Sequence, residues 1–227
     1  HGFGTQIGVQ LNHAGRKAED AKRPVAPSPI TYSSAYRTPQ QLTVEQIHQI
    51  ENEFVAAAHR AQQAGVDMLE IHGAHGYLLN QMLEPATNHR HDQYGGSLQN
   101  RYRMLGEIIR KIRQFYHGSL WVRLSVTAYG KVQNSVRDYQ QIAQWLERDG
   151  VSLIDASTGA LLNRKPNIPV YNGYQVPYSM ALKRAVKIPV SAVGSLHDPG
   201  LCESILRNHQ ADLILEGRAF LRNTNWL

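Results

Sequence analysis

The sequence predicts an α/β protein built as a (β/α)8 TIM barrel, and three observations point there. Short β-branched runs alternate with longer amphipathic stretches from one end of the chain to the other. Strands separated by helices pair in parallel, because a parallel neighbour is reached only through a crossover. An open doubly wound sheet would announce a nucleotide site by G-x-G-x-x-G after its first strand, and that motif is missing. Polar and ionisable residues instead stand just past the C-terminal ends of several strands: Asn12 and His13, His72 and His75, Arg123, Ser157, Gly194 and Ser195, Gly217 and Arg218. A barrel assembles its site from βα loops in that way.

Taken in order, six runs read as strands: Thr5 to Leu11, Met68 to His72, Leu120 to Ser125, Leu153 to Ser157, Pro189 to Val193 and Asp212 to Leu215. Between the first two, Val44 to Ala64 carries Ile47, Ile50, Phe54, Ala58 and Ala61 on one helical face. Thr43 and Gln46 form a capping box ahead of it, and Gly65 supplies a left-handed stop. A second helix from Leu98 to about Phe115, capped by Ser97, buries Tyr102, Leu105, Ile109 and Ile112. A third, Arg137 to Arg148, turns Tyr139, Ile142 and Trp145 inward and ends at Gly150. Shorter helices are expected near Tyr178 to Ala185 and Pro199 to Asn208. The whole chain, 1–227, reads as a single barrel domain.

Composition narrows the function classes. Cys202 is the only cysteine, which excludes a disulfide framework and a thiolate metal cluster. No apolar run approaches the roughly 18 residues of a membrane-spanning helix, and HGFGTQIGVQL lacks a signal-peptide layout, so the expected compartment is the cytoplasm, with no membrane partner. The net charge of +6 arises from scattered pairs such as Arg16 and Lys17, Lys22 and Arg23, Lys183 and Arg184. Scattered pairs do not make a nucleic-acid stripe, and no nucleic-acid partner is expected. Position 1 is His, so the chain is not expected to open on a native translation start.

The densest chemistry is IHGAHGY, Ile71 to Tyr77. His72 and His75 are three apart, and Gly73 and Gly76 leave room for a ligand near the backbone. Three readings stay open: a metal pair, a pair of hydrogen-bond donors with Tyr77 as proton source, and turn histidines without a chemical role. HxxH lacks the glutamate and the four-residue spacing of a helical zinc site, and no third ligand is evident nearby, so no metal is assigned. The polar stretch Asn88 to Arg101 reads as a self-bonded loop framing the site, with Asp92 paired to Arg90 or Arg101. AVGS at Ala192 to Ser195 and EGR at Glu216 to Arg218 end consecutive strands. Glycine there lets backbone N–H groups face a phosphate, with Arg218 to balance the charge. Arg123 closes an otherwise apolar run, and a buried guanidinium needs an acceptor.

These segments resemble the flavin-dependent Old Yellow Enzyme group, specifically its bacterial NADH:flavin oxidoreductase and ene-reductase branch. The resemblance rests on IGVQLNHAGRKA (Ile7 to Ala18), IHGAHGYLLNQMLEPATNHRHDQYGGSLQNR (Ile71 to Arg101), WVRLS (Trp121 to Ser125), SAVGS and LEGRAFLRN. It implies a (β/α)8 barrel with FMN across its C-terminal mouth and NAD(P)H as reductant. By the same resemblance, Gln10 would contact the flavin pyrimidine edge and Arg123 would sit beside N1 and the C2 carbonyl, stabilising reduced flavin. The amides of Gly194, Gly217 and Arg218 would hold the FMN phosphate. His72 and His75 would donate to the carbonyl oxygen of an enone-type small molecule, and Tyr77 would protonate its α carbon.

In that family two barrel strands precede the segment matching Ile7 to Ala18, and a last helix and tail follow the match to Asn223. The six strands are therefore expected to be strands three to eight of the barrel, with the chain truncated at both ends. Ala128 stands where an acidic residue is expected. Two missing strands would expose parallel edges, which favours association and leaves a homo-oligomer open. Two alternatives remain: a fragment unable to retain FMN, and a dienoyl-CoA reductase relative. The second needs an iron-sulfur cluster, which a lone Cys202 does not support.

Overall fold

All six predicted runs form strands, and in the computed structural model, which describes residues 1–163, 168 and 170–226, they lie in one parallel sheet. The strands are β1 (Gly8–Leu11), β4 (Met68–Gly73), β5 (Ser119–Ser125), β6 (Leu153–Ser157), β7 (Val190–Val193) and β8 (Leu213–Leu215), paired in that order. β2 (Val25–Ala26) and β3 (Gln40–Gln41) form a separate two-stranded pair, too short to leave a period in the sequence. Strand order that follows sequence order, with a crossover at each step, builds the wall of a (β/α) barrel.

The helices are α1 (Val44–Gln63), α2 (Leu78–Leu83), α3 (Leu98–Arg113), α4 (Val136–Arg148), α5 (Val176–Lys183), α6 (Pro199–Arg207) and α7 (Arg218–Arg222). The expected caps form: Thr43 and Gln46 close a reciprocal box on α1, and Ser97 accepts from the Asn100 amide on α3. α4 carries a second box, Ser135 with Asp138. α2 and α7 are absent from the sequence reading, since six and five residues show less than two turns of periodicity. α5 starts at Val176, earlier than expected, with Pro177 in its first turn, where a preset φ suits the helix. The first strand begins at Gly8 instead of Thr5 because β4 starts opposite it: Gly8 pairs with Met68, and Ile7 instead bonds Asp67.

Alternation along the strands sorts the side chains by face. Leu69, Ile71, Val122, Leu124, Ile154 and Val190 are fully buried in one apolar core with Ile47, Phe54, Leu105, Ile109 and Ile142 of the helices. The alternate positions carry polar groups: Gln10 pairs in register with Glu70, His72 with Arg123, Arg123 with Asp155, and Asp155 with Ser191. The stretch from Asn88 to Arg101 is self-bonded, as its composition indicates. Asn88 Nδ2 donates to the carbonyls of Met82 and Tyr94, and Arg90 pairs with Asp92. Arg101 turns instead to the Leu83 carbonyl and to Asn134.

Replacing Ile71, fully buried at the middle of this wall, by Ala is expected to destabilise the protein by about 2–5 kcal/mol, the usual cost of such a cavity. Urea unfolding monitored by circular dichroism measures it.

Candidate active site

The C-terminal end of β4 runs directly into a strained turn. His75 holds φ of 56°, a left-handed conformation uncommon for a residue with a side chain. Three hydrogen bonds hold it there. Its amide donates to Ser125 Oγ at 2.9 Å, its carbonyl accepts from Lys17 Nζ at 2.8 Å, and its Nε2 lies 2.8 Å from Ser157 Oγ. The next residue must be glycine: Gly76 has φ of 71°, and a Cβ there would meet the Ala160 carbonyl oxygen at 2.5 Å. Tyr77 then precedes α2, whose first amide, at Leu78, donates to the His13 carbonyl.

This turn, and not a helix, brings the two imidazoles together. His72 stands in β4 and His75 in the turn, with ring centroids 5.1 Å apart, and Tyr77 lies 5.4 Å from His72. Both histidines are held far below the ordinary imidazole range, His72 to about 4 and His75 to about 3. Burial is the main cause, and the Arg123 guanidinium adds to it. Both rings are therefore neutral at pH 7, each with one N–H donor. The Ser157 hydroxyl donates to Gln175 Oε1, so His75 Nε2 carries its proton toward Ser157 and must leave that partner to reach a ligand. His72 Nδ1 is buried without a partner among the described residues.

Below the rim lies the polar row. Gln10 Nε2 donates to Glu70, and burial together with nearby Asp155 raises that carboxyl to about 7. Arg123 Nε lies 2.9 Å from Asp155 Oδ2 without hydrogen-bond alignment, while Ser191 Oγ donates to Asp155 Oδ1 at 2.9 Å. Glu70, Asp155 and Ser191 escaped the sequence reading, although an acid inside MLEIH and another inside LIDAS are visible signals. Lys17, Ser125 and Gln175 were missed as well, and for these no local pattern exists.

Arg123 also faces a cleft of about 310 Å³ formed by Val193 to Ser195 and Leu215 to Arg218. Gly194 has φ of 108°, and a Cβ there would lie 2.2 Å from Gln175 Nε2. At Gly217 nothing among the described residues stands within 4 Å of that position, so the backbone is open there. Two guanidinium groups and two bare backbone segments fit a phosphate-bearing cofactor. Glu216 shares the cleft wall, but its charge also falls on Cys202, where it adds to burial in raising the thiol. Gln10 stands opposite Glu70 in register, on the same face of the sheet, and donates to it through its side-chain amide. Ala128 is buried, its amide held by Gln133 Oε1, which organises that loop without an acidic residue.

Positive charge from Lys17 and Arg123 beside the imidazole pair opposes a metal cation there. Elsewhere among the described residues His48, Glu51 and Glu107 bring possible ligand atoms within 4.8 Å of one another, but the Lys111 ammonium already occupies Glu51 at 2.8 Å. No helix of the described residues is long and apolar enough to cross a membrane.

Parallel strands in sequence order, with their ionisable groups gathered at the C-terminal rim, define a (β/α)-barrel protein that carries its site on the βα loops. The family model described as NADH:flavin oxidoreductase / NADH oxidase matches residues 1–227, and the chain belongs to that family. It is 46% identical over 226 residues to an NADPH dehydrogenase of Halalkalibacterium halodurans, covering 100% of this chain and 66% of that protein. A second NADPH dehydrogenase, from a Geobacillus species, is 46% identical over 223 residues, covering 98% of this chain and 65% of its own. The chain thus spans just under two thirds of these relatives' length. Among solved structures, morphinone reductase superposes with a TM-score of 0.84 at 28% identity, over 100% of this chain and 65% of that one. Morphinone reductase in complex with tetrahydroNAD gives 0.83 at 28% identity, with the same coverage.

Two measurements test the electrostatics. Imidazole nitrogen NMR is expected to show His72 and His75 neutral from pH 8 down to about pH 5, with protonation midpoints of about 4 and about 3. A midpoint close to 6.5 would remove burial as the controlling influence. Folded Glu70 keeps its proton up to about 7, while an unfolded carboxyl releases it at 4.5. The folded state binds the extra proton in that window, so stability falls as pH rises through it. Glu70→Gln is expected to flatten that fall in urea titrations across the window.

Proposed function

We propose that this chain belongs to an FMN-dependent oxidoreductase that uses NAD(P)H to reduce the activated C=C bond of α,β-unsaturated carbonyl compounds. The observation that carries the reading is the pair of neutral imidazoles, 5.1 Å apart, with a tyrosine 5.4 Å from one of them at the barrel rim. FMN, when bound, would supply the hydride to the β carbon of the alkene and be recharged by NAD(P)H. Gly194, Gly217 and Arg218 would hold its phosphate, and Gln10 and Arg123 its ring system.

The remaining chemistry belongs to the chain's own side chains. His72 and His75 donate N–H hydrogen bonds to the substrate carbonyl oxygen, drawing electron density from the β carbon. A neutral imidazole suits this task because it presents a donor at neutral pH without a proton to lose. His75 exchanges Ser157 for the substrate oxygen as partner. Tyr77 gives its phenolic proton to the α carbon. Lys17 Nζ, 5.4 Å from the Tyr77 ring centroid, places positive charge where the phenolate is left behind. Hydride and proton together complete a two-electron reduction.

In the FMN-loaded protein, Tyr77→Phe is expected to slow alkene reduction by roughly 10²-fold, within the usual range for loss of a general acid. Reduction by NAD(P)H, followed by stopped-flow absorbance, is expected to change little; equal losses in both half-reactions would exclude the acid role. His72→Ala combined with His75→Ala is expected to abolish the long-wavelength absorption band formed with phenols. A colourless chain that added FMN does not reconstitute would overturn the reading for this polypeptide.

A further inference from the structure

Two adjacent cations at the rim, buried Arg16 and half-buried Lys17, have no carboxylate partner among the described residues. Arg16 is 3% exposed, yet its guanidinium reaches only neutral acceptors, the carbonyls of Ile30 at 3.2 Å and Leu161 at 2.6 Å, and its Nε has no partner among the described residues. Lys17 Nζ donates to the carbonyls of His75 at 2.8 Å and Ala160 at 2.6 Å, which leaves one of its three N–H groups. Neither cation forms an ion pair with a carboxylate among the described residues. Burial lowers both, Arg16 to about 10 against a small opposing influence of Tyr32, and Lys17 to about 8 with the Arg16 charge adding to the fall. Buried charge of one sign calls for a counter-ion.

Arg16 opens onto a cleft of about 820 Å³ outside the site already described. Tyr32, Tyr129, His89 and Lys131 also form its walls, and none of its described lining residues is acidic. Lys17 joins this cleft to the rim, with Nζ 4.3 Å from the Tyr32 ring centroid on one side and 5.4 Å from that of Tyr77 on the other. The volume lies within the range of small-molecule sites. Two tyrosine rings offer stacking faces to a base, and Lys131 with the Arg16–Lys17 pair offers positive potential to phosphates.

We propose that this cleft is an anion subsite that takes the phosphate-bearing adenosine end of NAD(P)H while the nicotinamide reaches the rim beside His75 and Tyr77. The proposal rests on the oxidoreductase reading for the identity of the dinucleotide, whereas binding of the anion itself does not depend on it.

Calorimetric titration of the chain with ADP and with 2′,5′-ADP tests the subsite directly. Saturable binding is expected, weakened about tenfold by Lys131→Glu, a difference of about 1.4 kcal/mol. Lys131 is exposed, so the substitution does not endanger folding. In the FMN-loaded protein, the ratio of kcat/KM for NAD(P)H to that for N-benzyl-1,4-dihydronicotinamide, a reductant without phosphate, is expected to fall by a similar factor in that variant. Absence of ADP binding, or an unchanged ratio, overturns the proposal. A variant that loses efficiency only with a carboxylate-bearing enone, with ADP binding intact, assigns the cleft to the alkene substrate and also overturns it. Binding of ADP by a protein without flavin activity leaves the subsite standing and removes the oxidoreductase reading instead.

Discussion

Arg123 supplies the field to which the rest of the site responds, and parallel pairing fixes where that field acts. Register sets Arg123 opposite His72 on one side and Asp155 on the other. Its charge adds to burial in lowering both imidazoles and opposes burial at Glu70 and Asp155. The same side chain, about a quarter exposed, reaches the cleft at the ends of β7 and β8. A neutral residue here would leave Asp155 buried without its cation, a strongly destabilising arrangement. Polar groups in the inner row therefore stand or fall together.

The turn at His75 couples that row to the rim. A non-glycine residue in a left-handed conformation is unfavourable alone, and its three restraints come from different segments: Ser125 at the end of β5, Ser157 at the end of β6, and Lys17 after β1. Lys17 also bonds Ala160, and Arg16 bonds Leu161, so the loop after β1 is tied across the mouth to the loop after β6. Movement of one loop must therefore shift the imidazole that the others hold.

These ties also change the meaning of the net charge of +6. Arg16, Lys17, Arg123 and Arg218 all lie at the mouth, where clefts concentrate positive potential. Part of the excess thus lies at the mouth and not on the outer surface.

Much of this was legible from local pattern. Strand alternation, helical periodicity, the caps at Thr43 and Ser97 and the clustering of His72, His75 and Tyr77 all follow from short-range stereochemistry, which adjacent residues encode. The two strand-end glycines, Gly194 and Gly217, that line the cleft of about 310 Å³ were readable in the same way. Glu70 and Asp155 were visible as acids in apolar runs, but their partners Gln10 and Ser191 come from other strands. Only tertiary structure decided that His72 and His75 face each other through a turn and not a helix, that both are neutral, and that Lys17, Ser125 and Gln175 belong to the site. Those outcomes depend on burial and on contacts between residues more than forty positions apart, such as Lys17 with His75 and His75 with Ser157. By itself the sequence determined the alternating (β/α) architecture and which side chains gather at the rim; the folded chain decided charge state and geometry, because both depend on which distant groups displace water.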